Sequence, residues 1–75
     1  MKDEMLQNYK SDVSIIEKEV TFFNCLNPND YIIEVKFNGL IEHIIQVNEL
    51  DKGFYIFDSI RNSIRYEIAQ YENKL

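Results

Sequence analysis

The clearest periodicity lies toward the C-terminus. Phe57, Ile60, Ile64, Ile68, Tyr71 and Leu75 recur at spacings of 3, 4, 4, 3 and 4, the stripe of one helical face. The spacing predicts a C-terminal helix with Asp58 or Ser59 as its N-cap. The segment before it has two readings. Gly53-Phe54-Tyr55-Ile56-Phe57 has the composition of a short strand. The stripe also runs back through Phe54 to Leu50, which suits a longer helix starting near Lys52.

The centre of the chain reads as a hairpin over 31–47. Tyr31-Ile32-Ile33-Glu34-Val35-Lys36-Phe37 and Ile41 to Val47 are rich in β-branched and aromatic residues, with Asn38-Gly39 between them, a strong turn signal. The loop length follows from the faces. A two-residue loop opposes Phe37 to Leu40 and sets Glu42 on the side of Ile33 and Val35. A three-residue loop, Asn38-Gly39-Leu40, opposes Phe37 to Ile41. One face then holds Tyr31, Ile33, Val35, Phe37, Ile41, His43, Ile45 and Val47, and the other Ile32, Glu34, Lys36, Leu40, Glu42, Ile44 and Gln46. Register follows the buried face, so the three-residue loop is expected, with Gly39 at the left-handed position of a bulged turn.

The N-terminal part is ambiguous. Leu6, Tyr9, Val13, Ile16, Val20 and Phe23 are spaced as on a helix, yet Val20-Thr21-Phe22-Phe23-Asn24-Cys25-Leu26 has strand propensity and precedes the turn Asn27-Pro28-Asn29-Asp30. The reading adopted is a helix over 3–17, then a strand over 19–26 paired with 31–38. A plain α-β-β-α chain is the alternative. The expected fold is α+β, a small antiparallel sheet of two to four strands with an N-terminal and a C-terminal helix, in one domain spanning 1–75.

Composition narrows this picture. A chain of 75 residues buries only roughly 60% of its unfolded surface, so core is scarce and self-association would relieve the shortage. Cys25 is the sole cysteine, so no internal disulfide forms. Met1-Lys2-Asp3-Glu4 lacks the apolar run of a signal peptide, and no stretch approaches the ~20 apolar residues of a membrane span. A cytoplasmic protein without membrane contact is expected. Eleven Ile and eight Asn against one Ala point to AT-rich codons, hence a low-GC bacterium or its phage.

The formal net charge is −5, which argues against a general nucleic-acid binder. The charge is uneven. Residues 27–58 hold six acids against Lys36 and Lys52, a net −4, while residues 59–75 hold Arg61, Arg65 and Lys74 against Glu67 and Glu72, a net +1.

Candidate chemistry is sparse. His43 is the only imidazole and reads as a packed or edge histidine. Cys25, among Phe22, Phe23 and Leu26, reads as a small buried apolar residue rather than a nucleophile. One His and one Cys do not make a zinc site, so no metal is expected. Glu34 and Glu42 share a face with Lys36, and a solvated charged face accounts for all three. Asn48 to Gly53 puts Leu50 where a calcium loop needs an oxygen ligand. Two separated glycines make no phosphate loop. No cofactor and no catalytic constellation are expected.

Contact residues are easier to nominate. Arg61 and Arg65 stand one helical turn apart and could grip an anion, or simply pair with Asp58. Tyr55 and Tyr66 fall off the core stripes, and tyrosine suits interfaces. Ile32, Leu40 and Ile44 leave apolar surface on the second sheet face. The expected function is therefore that of a small acidic, non-enzymatic interaction protein. It would act as a regulator or inhibitor, its codons fitting a phage origin, binding a partner protein through the acidic hairpin and the apolar and tyrosine surface. The alternatives are a nucleic-acid-binding regulator using Arg61 and Arg65, and a self-assembling subunit such as a homodimer.

Overall fold

The computed structural model describes residues 4–11, 17–25 and 27–73. Among the described residues four strands form one antiparallel meander in chain order: β1 (Glu4–Lys10), β2 (Lys18–Asn24), β3 (Tyr31–Phe37) and β4 (Leu40–Val47). One helix among them, α1 (Leu50–Asn73), returns along one face. The architecture is α+β, two layers deep.

The expected N-terminal helix is replaced by β1. The physical reason is a bulge. Between Met5 and Gln7 the register with β2 shifts, so Leu6 and Tyr9, three residues apart, both reach the core. Two residues opposing one in a strand reproduce the three-residue spacing of a helix. The α-β-β-α alternative fails for the same reason. Residues 12–16, with Val13 and Ile16 of the expected helical stripe, lie outside the described residues, as does Leu26. Beyond Lys10, Ser11 closes the β1–β2 ladder. Its N–H donates to the Lys18 carbonyl at 2.8 Å, and its Oγ accepts from the Lys18 N–H at 3.0 Å.

β2 and β3 pair in full register from Lys18↔Phe37 to Asn24↔Tyr31, the strand pair read from the sequence. The turn between them has Asn29 at φ 62°, and the Cys25 N–H donates to the Asp30 carbonyl at 2.8 Å.

The β3–β4 turn corrects the expected loop. Phe37 opposes Leu40, so the loop has two residues, and Asn38 and Gly39 both have positive φ, 52° and 82°. That is the primed turn an Asn-Gly pair favours. The extra residue is taken up within β4, where Lys36 opposes Ile41 but Val35 opposes His43. The bulge leaves Glu42 without an opposite number. Past it, the pairing matches the three-residue register. Three placements therefore change. Ile41 joins the far face opposite Lys36, Leu40 takes Phe37's side, and Glu42 leaves the face of Glu34 to reach Lys18.

Nothing lies within 4 Å of a Cβ built on Gly39, so its requirement is conformational. Gly39→Ala is expected to cost about 1 kcal/mol through the left-handed φ alone. Chemical denaturation would read it, and an unchanged midpoint would refute the turn.

α1 starts at Leu50, with the Gly53 N–H donating to the Glu49 carbonyl at 3.0 Å. Asp58 and Ser59 therefore sit inside the helix and do not cap it, and 50–57 is helix, not strand. The apolar stripe explains the length. Gly53, Phe57, Ile64 and Ile68 are all buried, meeting Val20, Phe22, Ile33, Val35 and Val47 of the sheet. α1 lies mainly over β2 and β3, less over β4 and least over β1. No helix among the described residues is long and apolar enough to cross a membrane.

Candidate functional site

The offset of α1 toward β2 opens a seam between the helix and β4. Helical spacing decides what faces it. At about 100° per residue, Ile60, Ser63 and Glu67 lie on one flank of the Phe57–Ile64–Ile68 stripe, and Arg61 and Arg65 lie on the other. The seam widens into a groove of about 610 Å³ with Val35, Ile45, Ile60 and Ile64 as its apolar lining and Glu42, His43, Ser59, Ser63 and Glu67 as its polar rim. Toward the start of α1 a second depression of about 400 Å³ lies between Val47, Lys52 and Ile56.

Lys18 closes the hairpin end. Its Nζ sits 3.8 Å from Glu42 Oε1 and 3.4 Å from Glu67 Oε1 and 5.4 Å from the Phe37 ring centroid. One cation between two carboxylates leaves this end at net −1. The carboxylates are half-exposed, so each pair contributes about 0.2–1 kcal/mol.

The bulge changes the reading of the acids. Glu42 reaches Lys18 on the helix side, whereas Glu34, between buried Ile33 and Val35 and opposite Thr21 and Ile44, faces the far side. They do not form a pair.

His43 is exposed at the groove. Cys25 is half-buried rather than buried. The ladder separates the two. Cys25 lies one residue beyond the Asn24–Tyr31–Val47 row and His43 in the Val35 row, about 17 Å further along the strands at ~3.3 Å per residue. Among the described residues no three His, Cys, Asp or Glu side chains gather as a metal site.

The nominated contact residues fall on separate surfaces. Leu40, Ile41 and Ile44 stand along β4 with 75%, 53% and 58% of their surface exposed. Ile32 and Glu34 lie on the far face beside Ile44. That face also carries a cross-strand run Lys10↔Glu19↔Lys36, opposite charges of the kind that stabilise a solvated sheet, and Asn8 Nδ2 donates to Glu19 Oε2 at 2.8 Å and Thr21 Oγ1 at 2.7 Å. Tyr55 and Tyr66 are 73% and 67% exposed on the outer pole of α1, where Tyr66 Oη accepts from Gln70 Nε2 at 2.9 Å. Arg61 is drawn to Asp58 at 3.4 Å, while Arg65 is exposed.

Lys18, Ser59, Ser63 and Glu67 were not legible as site residues. The 59–63–67 spacing beside the apolar 60–64 pair is a signal for three of them. Nothing local marks Lys18, which reaches the groove only through the β2–β3 register.

No family model, no curated protein and no solved structure matches this chain.

Proposed function

We propose that this chain is a non-enzymatic interaction protein, a small acidic regulator or inhibitor, that receives an extended polypeptide strand along β4. One observation carries the reading. β4 ends the sheet, so among the described residues one side of its eight-residue backbone has no strand beside it, and its exposed large apolar side chains are Leu40, Ile41 and Ile44.

An added strand would supply the missing main-chain hydrogen bonds. Its alternate side chains would enter the groove under α1 and lie against Ile44 on the far face. The acidic rim favours a neutral or basic strand over an acidic one.

The test is capture from nuclease-treated lysate of the source organism, comparing the wild type with Ile44→Lys/Gln46→Lys. Both side chains are exposed, so stability should change by less than about 0.5 kcal/mol per site. A protein held in stoichiometric amount by the wild type and lost from the variant is expected. Capture unchanged by the variant would overturn strand addition at β4.

A further inference from the structure

The two edges of the sheet are built differently. β1 begins at Glu4 and ends at Lys10, has Gln7 and Asn8 between, and carries a bulge. Charges and bulges are how sheets protect an edge from other strands. β4 has Leu40, Ile41, Ile44, Ile45 and Val47 among its eight residues, a single formal charge at Glu42, and neither Lys nor Pro. Its bulge lies near the hairpin, which leaves His43–Val47 as a regular, unprotected stretch.

We infer that the strand received by β4 is β4 of a second copy, joining two sheets into one antiparallel sheet of eight strands about a two-fold axis at Ile45. This rests on the strand-addition reading of the same edge. Three features of the edge select a second copy.

The first is self-complementarity, which a two-fold interface requires. Centred on Ile45, the pairing sets Ile44 opposite Gln46 and His43 opposite Val47. The only charge, Glu42, falls outside the regular stretch, so no like charges meet. The second is the placement of exposed apolar side chains. Antiparallel strands bring the hairpin end of one β4, with Leu40 and Ile41, beside the other copy's β4–α1 end, where Leu50 is 41% exposed.

The third is area. An eight-residue edge is about 27 Å long and, with side chains on both faces, about 20 Å high, which gives about 500 Å² per copy. The total of about 1,000 Å² stands at the lower limit of specific interfaces. The dimer should therefore dissociate on the order of micromolar. In it the grooves of the two copies flank one seam, on the same face of the continuous sheet.

Sedimentation equilibrium over a concentration series, with amide exchange followed by NMR, tests this on the full chain. A monomer–dimer equilibrium is expected, with alternate amides of 43–47 gaining protection as concentration rises. Ile44→Lys/Gln46→Lys opposes lysines across the seam and should weaken the dimer by at least about 30-fold. Mixing it with Ile44→Glu/Gln46→Glu should restore a dimer, of mixed composition, which a merely misfolded variant would not do. A wild type that stays monomeric at several hundred micromolar overturns the second copy. Strand addition then survives only if lysate capture is lost in the lysine variant, and fails with it if capture persists. A dimer that forms equally well in the lysine variant, with the 43–47 amides unprotected, also overturns the inference.

Discussion

Phe22→Ala is expected to lower stability by about 3–5 kcal/mol. Phe22 is fully buried and stands where three elements meet. It pairs with Ile33 of β3 and Gln7 of β1. The Phe54 ring approaches edge-on at a centroid distance of 5.0 Å, with Tyr31 at 5.7 Å. Truncation removes the apolar burial and leaves a cavity that the flanking strands cannot close. Against a total of about 4–11 kcal/mol, at roughly 0.05–0.15 kcal/mol per residue, the loss is at least about a quarter of the stability. The melting temperature should fall by more than about 12 °C, with the urea midpoint lowered at nearly constant slope. A loss below about 1 kcal/mol would mean that α1 does not rest on Phe22.

Gly53→Ala is expected to destabilise by up to about 2 kcal/mol, although alanine in a helix interior ordinarily gains about 1 kcal/mol over glycine. A Cβ at Gly53 would fall against Cζ of Phe22, with Cε1 at 2.6 Å and Cε2 at 3.2 Å. The ring is fully enclosed, so relief requires moving the helix or the strand, an overpacking penalty of about 1–3 kcal/mol. The sign should reverse in the Phe22→Ala background. There the added methyl enters the cavity and the helical preference adds to it, so Gly53→Ala should stabilise by about 1 kcal/mol. A double-mutant cycle measured by urea unfolding reads this coupling directly. Equal effects of Gly53→Ala in both backgrounds would show that the helix does not touch the strand there.

Much of the architecture follows from local pattern. The runs at 31–37 and 40–47 with Asn38-Gly39 between them, the strand at 18–24, and the helical stripe from Phe57 onward each carry enough periodicity or turn chemistry to declare an element without knowledge of the rest. So do the exposure of Tyr55 and Tyr66 and the ion pair of Arg61 with Asp58, which depend only on helical phase and on neighbours three residues apart.

Three features were decided elsewhere. Leu6 and Tyr9 look helical because a bulge shifts a strand by one residue, and whether a bulge forms depends on β2 lying alongside. Glu42 reaches the helix side because the Asn38-Gly39 turn closes in two residues while the buried faces of β3 and β4 demand the register of three. The conflict is settled by a bulge that neither strand encodes alone. The groove exists because α1 settles over β2 and β3, where Gly53 lets it approach Phe22, and the open edge of β4 because that strand ends the sheet. By itself, then, the sequence determined β2, β3, β4, the helix from Phe57 onward and the exposed tyrosines, since those answer to neighbours a few residues away, but not β1 or the start of α1. Sheet order, the position of the helix and hence the site were decided only by contacts among residues distant in the chain, where packing chooses between local alternatives of similar energy.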